Sequence, residues 1–187
     1  MEQLRGKRVA VLVTDGFEQA ELLEPKKALE EAGAKVEVIS NKAGQVQGFQ
    51  HTDKGQAVRV DKTFAEVDAE DYDAVLLPGG VVNGDAMRMI PEAVDFVQVA
   101  DEEDKPIAVI CHGGWLLISA DLAAGRTLTS WPSLQDDFRN AGSNWVDQEV
   151  VCDGNLITSR KPDDIPAFNR QLLSALGGQN AGTGQRV

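Results

Sequence analysis

The stretch Ile107–Ala120, IAVICHGGWLLISA, constrains the fold more than any other. The apolar run Ile107 to Ile110 has the length and branching of a buried parallel strand. It ends at Cys111-His112-Gly113-Gly114, and an apolar, helix-compatible segment from Trp115 to Ala120 follows at once. A nucleophile exposed on a sharp strand-to-helix turn is a recurring device of α/β enzymes. The helix start sets backbone N–H groups and a partial positive charge beside the sulfur, which favours thiolate. The glycines let the helix leave tightly and let a substrate approach the backbone.

The flanking chain reads as a scaffold for that turn. Arg8 to Thr14 is a β-branched strand, Gln19 to Ala32 a helix with Leu22, Leu23 and Leu29 facing inward, and Lys35 to Ser40 a second strand. Pro25 predicts a kink or a later helix start, and Gly33 a left-handed stop. A βαβ unit this early points to a parallel sheet with helical crossovers. Asn41 to Asp61 breaks the rhythm as a Gly-punctuated hairpin or edge excursion. Asp73 to Leu77 is a further buried strand, closed by Pro78-Gly79-Gly80, and helices are predicted at Asp85–Met89 and Pro91–Asp104. Beyond the cysteine turn lie a short strand at Arg126–Ser130 and a helix at Ser133–Asn140. Asp153-Gly154-Asn155 is a hairpin turn between Trp145–Cys152 and Leu156–Ser159. A terminal helix runs from Ala167 to Leu176. Residues 7–176 form one domain, and 177–187, rich in Gly, Gln and Asn, read as a flexible tail.

Ligands of open α/β sheets sit outside the C-terminal strand ends. Three loops meet that description: Asp15–Glu18, Gly79–Asp85 and Cys111–Gly114. The set gathers a carboxylate, a backbone-donor loop and a thiol. His51 reads as surface, with the pocket rim as its other placement. Trp115, Trp131 and Trp145 read as core or interface rather than a ligand platform.

The 187 residues, 42% hydrophobic and 26% charged, suit one globular domain. A net charge of −12 argues against non-specific nucleic-acid binding. No run reaches the length of a membrane span, and the charged lead MEQLRGKR is not a signal peptide. The expectation is a cytoplasmic protein whose two cysteines are reduced. Asp101-Glu102-Glu103-Asp104 and Asp136-Asp137 read as solvated helix surface, so no metal site is expected.

The motifs FEQAEL, LLPGG, ICHGG…LLISA, LTSWPSLQDDFRNAGSNWVDQEVV, DGNLITSR and PDDIPAFN together resemble the PfpI-type members of the ThiJ/PfpI superfamily. The likeness spans about Arg8 to Leu176. It implies a three-layer α/β/α sandwich with a mostly parallel, flavodoxin-like sheet, the fold of class I glutamine amidotransferases. It also implies site roles. Cys111 matches the nucleophile, and Glu18 the acid whose carboxyl meets the sulfur. His112 matches the general base. Gly80 and His112 offer oxyanion-hole N–H groups, with Gly79 and Gly113 beside them in the substrate-binding backbone. Asp85 takes the place of a third acid lent by a neighbouring subunit, which implies a homo-oligomer, dimer or hexamer. Two departures stand out. Gly114 replaces the usual Pro or Ala, which loosens the helix start, and Val109 replaces the Gly of an amidotransferase elbow.

The resemblance implies a cofactor-free stress-response enzyme acting on small reactive aldehydes or glycated proteins, described in the family as glyoxalase, deglycase or peptidase. Both aldehyde chemistries need a thiolate to form a hemithioacetal and a base to move a proton. The rival class is an oxidative-stress sensor or chaperone, in which a low-pKa thiol is oxidised rather than turned over.

Overall fold

A computed structural model describes residues 3–178; the expected tail beyond Gly178 lies outside the described residues. The strands are β1 (Arg8–Leu12), β2 (Phe17–Glu18), β3 (Lys35–Ser40), β4 (Gln45–Gln50), β5 (Asp53–Arg59), β6 (Lys62–Thr63), β7 (Ala74–Leu77), β8 (Ile107–Ile110), β9 (Thr127–Leu128), β10 (Asn144–Trp145), β11 (Val150–Asp153) and β12 (Leu156–Ser159). The helices are α1 (Gln19–Glu31), α2 (Val81–Met87), α3 (Pro91–Glu102), α4 (Trp115–Ser119), α5 (Gln135–Asn140) and α6 (Ile165–Leu176).

The main sheet has the order β11-β12-β8-β7-β1-β3-β6, parallel throughout except for β11. Its strands are short and apolar on both sides because both faces are covered. Successive residues point to opposite faces. Ala10, Leu12, Val75, Leu77, Ile107 and Val109 pack with Phe96 and Val97 of α3, Leu116 and Leu117 of α4, and Phe138 of α5. Val9, Val11, Leu76, Ala108 and Ile110 pack on the other face with Leu22 and Leu29 of α1 and Phe168 and Leu172 of α6. This is the expected α/β/α sandwich. The Gly-punctuated segment is the expected excursion: β4 and β5 form a hairpin that joins β2 in a separate three-stranded sheet.

Local differences have physical reasons. Helix α1 runs on through Pro25 to Glu31. Helix α2 begins at Val81, not Asp85, because Gly80, at φ 90°, turns the chain directly out of β7. The segment expected as one strand from Trp145 is divided: β10 pairs with β9 in a separate two-stranded sheet, and only β11 joins the main sheet. Between β8 and α4, residues Cys111–Gly114 form a 3-10 turn.

Candidate active site

Strand β8 ends on Cys111, whose φ of 62° is left-handed. A non-glycine residue there stores about 1–3 kcal/mol of strain, as expected of a nucleophile held on a tight elbow. The turn depends on close backbone contacts. A Cβ on Gly113 would lie 2.7 Å from the Leu77 carbonyl oxygen, and one on Gly84 2.5 Å from that of His112. A Cβ on Gly80 would fall 2.3 Å from the Gly16 carbonyl oxygen, so the loops after β1 and β7 touch through bare backbone. Asn83, fully buried, joins them: its Oδ1 accepts from the Thr14 N–H, and its Nδ2 donates to the carbonyls of Pro78 and Gly79.

The Cys111 sulfur lies 3.2 Å from His112 Nδ1, although the two residues are adjacent in sequence. The imidazole is held between two indoles. Trp131 stacks on it at 5.6 Å between ring centroids, and Trp115 meets it edge-on at 5.3 Å. Burial pushes the His112 pKa down, which keeps the ring neutral and able to accept a proton. Burial also pushes the Cys111 thiol up, and the charge of Glu21, when ionised, adds to the rise. The backbone N–H groups of Gly80 and His112, both bonded to the sulfur, pull the other way and are outweighed. The backbone donors that favour thiolate are therefore opposed by desolvation, which favours the thiol form.

The resemblance places Glu18 against the sulfur; in the structure Glu21 takes that position. Glu21 is fully buried, its Oε2 accepts from the Gly79 N–H at 2.8 Å, and its carboxyl interacts with the Cys111 thiol. Burial is the main cause that raises its pKa to about 8, and the nearby charge of Glu18 adds to it. Glu37 shows the opposite outcome for a buried carboxylate. Burial pushes it up as well, but Arg8, Lys35 and Lys62 surround it and hold it at about 2. Glu21 has no such cation, so at neutral pH it is a neutral carboxylic acid able to donate to sulfur.

Glu18 instead stands one helical turn earlier, just ahead of α1. Its Oε2 accepts from the His51 backbone N–H at the tip of the β4–β5 hairpin, 3.1 Å away. It lines the pocket in front of Cys111 together with Glu21, Phe49, His51, Thr52, Gly80, Val81, Val82, His112 and Trp131. The cavity holds about 500 Å³. Gly79 and Gly113 are not among its lining residues. The Gly79 N–H is occupied by Glu21, and Gly113 lies under the carbonyls of Leu77 and Pro78. Gly80 remains the glycine whose N–H reaches the sulfur. Asp85 is exposed and does not line the pocket of its own chain. Gly114 does not line the cavity either: the ring of Phe138 fills the space its side chain would take, 2.7 Å from a built Cβ. Trp131, expected as core or interface, is a pocket wall. Among the described residues no group of three or more His, Cys, Asp or Glu side chains could hold a metal, and no helix is long and apolar enough to cross a membrane.

Sequence reasoning missed Glu21, Phe49 and Trp131. The signal for Glu21 was available, because position 21 lies on the stripe that buries Leu22, Pro25 and Leu29.

Comparison with known proteins gives the same architecture. The chain is 45% identical over 174 residues to protein/nucleic acid deglycase 2 of Escherichia coli, covering 91% of this chain and 98% of that one. It is 44% identical over 173 residues to general stress protein 18 of Bacillus subtilis, with the same coverage. The crystal structure of Drosophila melanogaster DJ-1beta superposes with a TM-score of 0.83 at 32% identity, over 92% of this chain and 91% of that one. The family model described as DJ-1/PfpI matches residues 7–175, and the chain belongs to the DJ-1/PfpI family.

Proposed function

We propose that this chain is a cofactor-free, hydrolase-type cysteine enzyme of the stress response, acting on small reactive carbonyls or their protein adducts in the cytoplasm. The observation that carries this reading is the contact between the Cys111 sulfur and Nδ1 of a neutral His112, at the floor of an apolar cavity. The deglycase and stress-protein names of its relatives point the same way.

The chemistry follows from the groups in place. Cys111 adds to an aldehyde carbon as a carbon–sulfur bond forms. The thiol proton passes to His112 Nδ1 and then to the former carbonyl oxygen, giving a hemithioacetal. The N–H groups of Gly80 and His112, bonded to sulfur at rest, lie beside the place where negative charge develops on that oxygen. With a 2-oxoaldehyde, His112 then moves the proton from the former aldehyde carbon to the neighbouring carbonyl carbon by way of an enediol. Water cleaves the resulting thioester, giving a 2-hydroxy acid and the free thiol. No electrons leave the substrate, so no redox cofactor is required.

The rival reading is an oxidation sensor, which needs a Cys111 thiolate that peroxide can attack. Cys111→Ser decides between the two. The expected result is a loss of methylglyoxal turnover on the order of 10²-fold or more, measured as lactate formed by a folded variant. Full turnover in that variant removes Cys111 from the mechanism.

A further inference from the structure

We propose that the pocket selects carbonyl substrates that carry a cationic nitrogen, and that Glu18 is the residue that selects them. This rests on the reading of Cys111 as the site of covalent attack and names the substrate class it serves.

The pocket lining contains no Lys or Arg, and Glu18 has no ion-pair partner among the described residues. Among the described residues its carboxyl takes one hydrogen bond, from the His51 backbone N–H to Oε2. The second carboxyl in the cavity, Glu21, is buried, raised to about 8 and bonded through Oε2 to the Gly79 N–H, so it stays neutral and does not compete for a cation. Glu18 is different. Its charge is felt inside the site, because it helps push Glu21 up. A carboxylate facing a largely apolar cavity attracts a cation more strongly than one in water does.

The walls suit the same ligand. Phe49 and Trp131 both line the cavity, and aromatic faces attract ammonium and guanidinium groups. The hairpin that supplies Phe49 and His51 is held over the site by hydrogen bonds to the chain around α1. Gly16 N–H donates to the Gln47 carbonyl, and Gln56 N–H to Gln19 Oε1. The left-handed turn at His51, φ 57°, sets the N–H that Glu18 accepts. Glu18 is thereby held in place with its second oxygen unclaimed. Anionic carbonyls such as glyoxylate meet repulsion in the same cavity.

The test compares aldehydes of one shape and different charge. Betaine aldehyde is paired with its neutral isostere 3,3-dimethylbutanal, and 4-trimethylammoniobutanal with 5,5-dimethylhexanal, so that two reaches are sampled. Each is titrated for its ability to protect Cys111 from iodoacetamide, followed by mass spectrometry of the Cys111 peptide, because Cys152 is a second, exposed free cysteine. The expected result is that, in at least one pair, the cation protects at about tenfold lower concentration than its isostere. In Glu18→Gln, which keeps an oxygen for the His51 N–H, that ratio falls towards one. Equal protection within both pairs overturns the proposal, and so does a ratio that survives Glu18→Gln, which would assign selection to the aromatic walls alone. The readout needs no turnover. A charge preference without lactate formation rejects the enzymatic reading and leaves this inference standing, while turnover without a charge preference does the reverse.

Discussion

Glu21 and Glu18 are both carboxylic acids within one helical turn, and their surroundings give them opposite work. Glu21 lies on the buried stripe of α1 and is raised to about 8; Glu18 precedes the helix and meets the hairpin. A pH dependence follows for Glu21. Its folded pKa lies above the ordinary 4.5, so between those values the folded protein holds a proton that the unfolded chain releases. Stability from this group is complete below about pH 4.5 and is lost as pH rises towards about 8. At about 1.4 kcal/mol per pKa unit, the loss across the window is a few kcal/mol. Glu21→Gln keeps an N–H donor but has no proton to release. Urea unfolding from pH 5 to 8 is expected to show the variant gaining on the parent as pH rises; parallel curves would remove Glu21 as the cause. Sequence pattern alone made Glu18 the more visible acid because it sits in the loop. What separates the two is three-dimensional: a helical phase, and a desolvation that only the packed β7 and β8 loops create.

At the scale of elements, the strand–turn–helix around Cys111 was legible because an apolar run of strand length ends on Cys-His-Gly-Gly and cannot continue as strand. The sheet and its crossovers were legible for the same reason, from alternating apolar runs and Gly stops such as Gly33. The role of Gly114 was not. From sequence it loosens a helix start; in the structure its φ of −62° needs no glycine, and the missing side chain makes room for the Phe138 ring of α5. That contact is distant in sequence and leaves no local pattern. Gly114→Ala is accordingly expected to destabilise the fold. A Cβ 2.7 Å from a fully buried ring is overpacking, which costs about 1–3 kcal/mol, and a better helix residue returns at most about 1 kcal/mol. Phe138→Leu should be destabilising alone yet partly rescue Gly114→Ala. A double-mutant cycle in urea checks this: additive losses would show that the ring is not what the glycine accommodates.

For the whole molecule, the single chain leaves one side of the site uncovered. Val81, Val82 and Met89 are 55%, 64% and 78% exposed, the large apolar side chains most open to solvent among the described residues. The two valines belong to the pocket wall, and Asp85 stands exposed on the same short helix, α2. That helix packs directly on the Cys111 turn through Gly84 and His112. We propose that a second copy covers this face and that Asp85 orients the His112 of its neighbour, steadying the imidazolium formed when the thiol gives up its proton. Complementation tests the geometry. Asp85→Ala and Cys111→Ser proteins are each expected to turn over methylglyoxal poorly. When the two are unfolded together and refolded as mixed dimers, half the dimers are heterodimers, and each of these carries one intact site of two. Activity should then return to about a quarter of the parent value. In a verified mixed oligomer, no recovery would mean that Asp85 serves its own chain or none, and α2 would lose its claim to complete a partner's site.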